Sequence, residues 1–270
     1  MIKQNLHSHS NFCDGRCTLE EMVLSAIEKG YHSLGFSPHI KTVFPTICLQ
    51  DKQEYFNQLY HLREKYADKI KIYIGGEFDL YSTDNVKDYD YTIGSVHLDL
   101  IDSEVVFYDY NYERAKYCVD KYFGGDGVKY AKKYYECVKR LPDTFDFDIV
   151  GHLDVITKFD EKHNLIDETD PEYIESALDA LHHLVSKGKK IFEINYGSIT
   201  RGHKTHPYPA PFLLKEMINL GCEFVLTSDA HHGDHLLTDT DLEKIYPYLK
   251  KLGIDHLLIF DGKNFVPQKI

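Results

Sequence analysis

The chain has 270 residues, 43% of them hydrophobic, with 43 acidic side chains against 31 basic ones and a formal charge of −12. This size and composition exclude a disordered chain and suit one large domain, residues 1–270, with a sizeable core. The acidic surplus argues against a phosphate-backbone binder, which needs excess Lys and Arg, so no nucleic-acid partner is expected.

In chain order, short apolar runs keep ending in a residue able to bind a metal or a proton. Ile2–Leu6 leads into "HSH" (His7, His9) with Asp14 beyond, and Ser33–Phe36 into "SPH" (His39). Ile70–Ile74 leads into "GGE" (Glu77), Tyr91–Val96 into His97, and Phe147–Val150 into "GHLD" (His152). Ile191–Ile194 leads into "NYG" (Asn195–Gly197) and Phe224–Leu226 into "TSDAH" (Asp229, His231). Helix-like stretches lie between them: Thr18–Glu28, opened by a Thr18/Glu21 capping box, Asp51–Ala67, Arg114–Leu141 with a break at 124–127, Pro171–Ser186, Pro211–Leu220 and Asp239–Lys251. Apolar strands alternating with helices predict an α/β fold whose parallel sheet is buried on both faces. Seven such units, each with its reactive residue at the strand's C-terminal end, predict a closed barrel with the active site at that end. An open doubly wound sheet is the competing architecture.

The six cysteines (Cys13, Cys17, Cys48, Cys118, Cys137 and Cys222) form no CxxC pair. The first apolar run is too short for a signal peptide, and no window approaches the roughly 20 apolar residues of a membrane span. Reduced thiols in the cytoplasm, with no membrane partner, are the simplest reading.

His7 and His9 share one face if their segment is extended, and Asp229-x-His231 repeats that spacing. Two imidazoles beside a carboxylate make a divalent-metal half-site. Singly, each residue has an ordinary reading: surface histidines, a turn aspartate at Asp14, a capping or core histidine at His39, a plain turn at Gly75–Gly76. Jointly, six histidines (His7, His9, His39, His97, His152, His231) and three acids (Asp14, Glu77, Asp229) stand where a barrel aims its strand ends. They are too many for one tetrahedral zinc and enough for two or three metals sharing a carboxylate, with the two glycines clearing bulk beside Glu77.

The stretches "HSH" with Asp14, "SPH", "GGEFD", "GSVH", "GHLD", "EIN" and "TSDAH" run in order from the start to Asp229. In them the chain resembles the PHP (polymerase and histidinol phosphatase) family, most closely its histidinol-phosphatases. The loop "TRGHKTHPYP" departs from that pattern. The resemblance implies a distorted (β/α)7 barrel with three divalent transition ions (Zn, Mn or Fe). His7, His9, Glu77 and Asp229 would surround the first, Glu77, His97 and His152 the second, and Asp14, His39 and His231 the third. It implies hydrolysis of a phosphomonoester, L-histidinol phosphate, in histidine biosynthesis. A hydroxide held between two metals would attack, since such ions bring the pKa of bound water to about 7.

A phosphate dianion also calls for a cation. Arg201, after the "EINYG" strand end, is the first choice, with a surface arginine as its plainer reading; Lys158 and Lys41 are weaker candidates, read as solvated. Asn195 either orients substrate or caps its strand. Asp229 and His231 are candidates for proton handling as well as ligands. His203 and His206 either touch substrate or are idle loop residues. Tyr112–Tyr117 with Glu113 would line an outer pocket for imidazole and ammonium, or simply start a helix. The same barrel would also suit a nucleotide phosphatase, an exonuclease or a phosphotyrosine phosphatase; a non-catalytic metal-binding module is the alternative of another class. The oligomeric state is not legible.

Overall fold

The computed structural model describes residues 3–44 and 47–270, so Ile2 of the first predicted strand lies outside the described residues. β1 (Gln4–Asn5), α1 (Leu19–Glu28), β2 (Ser33–Phe36), α2 (Lys52–Lys65) and β3 (Lys71–Phe78) alternate as predicted, and β4 (Tyr91–Gly94) follows β3 with only a 3-10 turn between them. A hairpin, β5 (Leu98–Ile101) and β6 (Glu104–Phe107), precedes α3 (Tyr112–Phe123), α4 (Gly127–Thr144) and β7 (Ile149–Val150). Then come the single turn α5 (Asp160–His163), α6 (Pro171–Ser186), β8 (Ile191–Asn195), the single turn α7 (Gly197–Thr200), α8 (Pro211–Asn219), β9 (Glu223–Thr227), α9 (Asp239–Lys251) and a last hairpin, β10 (His256–Phe260) and β11 (Phe265–Lys269).

Seven strands form one sheet in the order β1-β2-β3-β4-β7-β8-β9, every neighbouring pair parallel. The sheet closes because the chain just past β1 pairs with the chain just past β9. Ser8 bridges Ala230, the His9 N–H donates to the Ala230 carbonyl at 2.8 Å, and the Ala230 N–H donates to the His7 carbonyl at 3.0 Å. The open-sheet alternative is thereby excluded. Among the described residues no helix is long and apolar enough to cross a membrane.

Local signals set the helix ends. Thr18 and Glu21 form the expected capping box, and Thr238 with Asp241 forms a second; each such cap contributes about 1 kcal/mol. The predicted break in the long helical stretch falls where Gly124 and Gly125 take positive φ (64° and 84°) and Asp126 caps α4. Leu6, Tyr91, Ile93, Ile149 and Val225 fill the barrel, and Leu258 and Phe260 of the last hairpin close its N-terminal end.

One buried acid makes stability depend on pH. Asp160 is nearly inaccessible, and its Oδ1 accepts the Ile166 N–H at 3.1 Å. Burial, with the Glu168 charge beside it, pushes its carboxyl up to about 7. The folded chain therefore keeps a proton that the unfolded chain releases near pH 4, so this group lowers stability progressively between pH 4 and 7 and by a constant amount above that. Asp160→Asn keeps the acceptor and removes the charge. Thermal melts should show the variant gaining several degrees over the parent at pH 8 and only about a quarter of that gain at pH 4.5; an equal shift at both pH values would refute the argument.

Candidate metal centre

The two motifs of matching spacing are hydrogen-bonded to each other. Ser8 and Ala230 are bridge partners, so His7 and His9 flank one and Asp229 and His231 flank the other. Their side chains meet: His9 Nε2 lies 3.0 Å from Asp229 Oδ1, and His7 Nε2 lies 3.6 Å from the same oxygen. Asp229 achieves this with a left-handed backbone, φ 45°, a conformation aspartate tolerates better than most residues. Beside this pair, His39 bridges Glu77, and its Nδ1 stands 2.9 Å from Glu77 Oε2.

Glu77 is the hub. Its Oε1 lies 3.1 Å from His152 Nε2, 3.3 Å from His97 Nε2 and 3.3 Å from His7 Nε2; its Oε2 lies 3.6 Å from His9 Nε2. At the outer corner, Asp14 Oδ2 is 2.9 Å from His231 Nε2 and 3.6 Å from His39 Nε2. The rings of His7, His9, His39, His97 and His152 touch in a closed circuit, with His231 stacked on His9 at 4.2 Å. All nine sequence-predicted residues are thus in one cluster. It offers four overlapping donor sets: His9–Asp14–His39–His231, His7–His9–Glu77, His39–Glu77–His97 and His7–His152–Asp229. The grouping departs from the expected one in three ways: His9 joins the outer corner, His39 also falls with Glu77 and His97, and His152 falls with His7 and Asp229.

These donors fit a cation on two counts. Ligands about 2.1 Å from one ion stand roughly 3.0–3.4 Å apart, the spacing seen here. In addition, His7 Nε2, His9 Nε2, Asp14 Oδ1, Glu77 Oε2 and Asp229 Oδ1 are buried without a hydrogen bond. Each such atom costs about 1–3 kcal/mol when left unsatisfied, and divalent ions held by the overlapping donor sets would supply the missing partners. The electrostatics agree. Burial alone would push the His7 imidazole down and the Glu77 carboxyl up. Instead Glu193, Glu77 and Asp229 lift His7 to about 10, while His7, His97 and His39 hold Glu77 well below the carboxylate range. The cavity is built to hold positive charge.

Groups that sequence reasoning missed stand behind the cluster. Glu193, buried on β8, accepts from His7 Nδ1 at 2.6 Å and from the His152 backbone N–H at 2.9 Å. It turns His7 Nε2 inward, as a carboxylate behind a ligand histidine does. Asp79 does likewise for His97, accepting its backbone N–H at 2.6 Å with Nδ1 3.3 Å away.

A profile for the PHP domain matches residues 5–197. The chain belongs to the PHP domain family. A Schizosaccharomyces pombe protein named "Probable histidinol-phosphatase" is 28% identical, covering 98% of this chain and 92% of its own. The histidinol-phosphatase of Lactococcus lactis subsp. lactis is 27% identical over 100% of this chain and 98% of its own. The crystal structure of the Lactococcus lactis histidinol phosphate phosphatase, complexed with zinc, L-histidinol and phosphate, superposes with a TM-score of 0.69 at 22% identity, covering 98% of each chain. A Listeria monocytogenes structure superposes with a TM-score of 0.71 at 21% identity, over 87% of this chain and 97% of its own. The expected distorted (β/α)7 barrel is the fold these structures share.

In this PHP barrel the cluster lies at the base of a cleft of about 990 Å³. Arg201, directly after α7, lines it with Nη1 3.0 Å from Asp229 Oδ2. Lys158 also lines it, but it is not solvated as expected: the side chain is 9% exposed, with Nζ 2.7 Å from the Asp109 carbonyl oxygen and 3.2 Å from its carboxylate. Lys41 is exposed and His203 and His206 are half-buried, all outside the lining. Asn195 requires a correction as a substrate contact. It is fully buried, its Nδ2 donating to Glu193 at 3.1 Å and its Oδ1 accepting from Gly197 at 2.8 Å, so its amide organises the strand end. Of the glycines before Glu77, Gly75 has another task, shared with Gly35. A Cβ on Gly75 would sit 2.3 Å from the Tyr91 ring, and one on Gly35 2.2 Å from its hydroxyl. They admit the tyrosine that crosses the barrel below the site and donates to the Leu6 carbonyl.

Proposed function

We propose that this PHP barrel is a metal-dependent phosphomonoesterase acting on L-histidinol phosphate, working as one domain in cytoplasmic histidine biosynthesis. The observation that carries this reading is six imidazoles and three carboxylates at the floor of a cleft with Arg201 and Lys158 on its walls. The mix of nitrogen and oxygen donors suits Zn, Mn or Fe, and three ions account for nine donors better than one. Such ions, when bound, supply an activated water and neutralise charge on the phosphoryl oxygens.

The chain's own residues do the rest. Arg201 and Lys158 bind the phosphate oxygens, and their fixed positive charge favours the dianion over a neutral alcohol. Glu193 and Asp79 keep His7 and His97 in the orientation the site needs. Tyr91 and the apolar barrel exclude water from below. Farther out the cleft is walled by Glu113 and Tyr117, from the segment expected to line an outer pocket, and by Phe107 and Tyr110 just before it. Glu113 offers opposite charge to an ammonium, and the aromatic faces suit a flat imidazole. Names of the relatives that match nearly full length support the same substrate.

Phosphate release by the metal-loaded protein should be at least about 100-fold more efficient in kcat/KM on L-histidinol phosphate than on nucleotides, phosphotyrosine or single-stranded DNA, because the polar groups of a matched pocket are left unpaired by the wrong ligand. Comparable rates across that panel would remove the biosynthetic substrate and leave only a general phosphoesterase.

A further inference from the structure

The loop "TRGHKTHPYP" holds a lysine with an unusual setting. The Lys204 side chain is fully buried, yet it lines no part of the cleft. Its Nζ donates to Thr157 Oγ1 at 2.7 Å and to Glu168 Oε1 at 3.0 Å. Thr157 is the residue before Lys158 and ends the 3-10 turn Val155–Thr157. Lys204 is likewise joined to Arg201: the backbone N–H groups of His203 and Lys204 both return to the Ser198 carbonyl, at 2.7 and 3.0 Å, and that of Arg201 to Gly197 at 3.0 Å. Residues 197–204 therefore form one hydrogen-bonded unit that carries Arg201, and 154–158 another that carries Lys158.

We propose that Lys204 is a positioning residue: a buried ammonium strut that fixes the Arg201-bearing and Lys158-bearing units at the spacing a phosphate group requires. This rests on the reading of those two cations as the phosphate clamp. Two links between neighbouring residues of these segments run through exposed groups, Lys162 Nζ to the Gly202 carbonyl at 2.6 Å and the Thr205 N–H to Glu161 at 2.9 Å. Farther along the loop, the Ala210 N–H reaches Asp154 Oδ2 at 2.7 Å. A buried ammonium is costly unless fully paired, so a lysine retained solely for stability is a poor choice here. An apolar residue would fill the space but could not span from Glu168 to Thr157.

The test is calorimetric titration of the metal-loaded protein with inorganic phosphate. The variants are Lys204→Met/Glu168→Gln, which removes the buried ammonium together with its half-buried carboxylate partner, and Thr157→Val, which removes the hydroxyl that accepts from Lys204 and donates to the Asp154 carbonyl at 2.9 Å. Each should weaken phosphate binding about tenfold, with metal content unchanged, and that loss should largely disappear in an Arg201→Met background, because residues acting through one another are not additive. Unchanged phosphate affinity in Thr157→Val, or the same loss with and without Arg201, would overturn the strut. Failure of the underlying clamp is a separate outcome: Arg201→Met would then leave phosphate binding unaltered, and the strut would fall with it.

Discussion

Glu77→Gln will lose metal and turnover together, with kcat/KM on L-histidinol phosphate falling at least about 10³-fold. Each tenfold corresponds to 1.36 kcal/mol, and the ions at such a site are worth several kcal/mol to the reaction. The argument is positional. The two Glu77 oxygens lie within 3.6 Å of nitrogens from five different histidines, so among the described residues no other single change touches as many donors. Glutamine is nearly isosteric but neutral. It also brings an amide N–H₂ into a space that calls for an acceptor, and the surrounding imidazoles lose the anion that neutralises them. Elemental analysis after reconstitution should show fewer ions per chain, with far-ultraviolet circular dichroism unchanged. A variant with full metal content and parental kinetics would show that the cluster is not the reactive centre.

Arg201→Met is the second large effect, expected to separate binding from metal content. A charge-assisted hydrogen bond contributes about 1.5–3 kcal/mol, so kcat/KM should fall roughly 10- to 100-fold, chiefly through a higher KM, with the ions retained. Arg201 also lies 3.0 Å from Asp229, and its removal frees that carboxylate from a competing cation, which favours metal retention. Arg201→Lys should recover part of the loss, because a lysine restores the charge without the two-pronged geometry. Parental kinetics in the methionine variant would take Arg201 out of the site.

What was legible in the sequence, and what was not, follows from where each signal resides. The ligand-type residues stand in local motifs at strand ends, and strand period and strand-to-helix alternation are local as well, so barrel and cluster were both readable. Glu193 was missed because attention fell on Asn195, the last polar residue of "EIN". Yet a glutamate two residues earlier in an otherwise apolar, buried strand is itself a signal, since buried carboxylates need a partner. The Asp109–Lys158 contact joins residues 49 apart and left no trace in either segment. Gly75 was assigned to Glu77, its neighbour in sequence, when the group needing the space was Tyr91, its neighbour in the sheet. The hairpin of Leu98–Ile101 and Glu104–Phe107 escaped because its turn places Asp102 and Ser103 at positive φ without the glycine that normally announces such a turn.

The bridge between Ser8 and Ala230 gives the barrel a seam, and the donors sit astride it. His7 and His9 lie on one lip, Asp229 and His231 on the other, more than 200 positions apart along the chain. An ion gripped by both lips is a staple across the longest loop the fold must close, and closing long loops is where chain entropy resists most. Chelation should therefore loosen this edge before any other part of the wall, and a nascent chain cannot assemble the full set of grips until its final barrel strand has emerged.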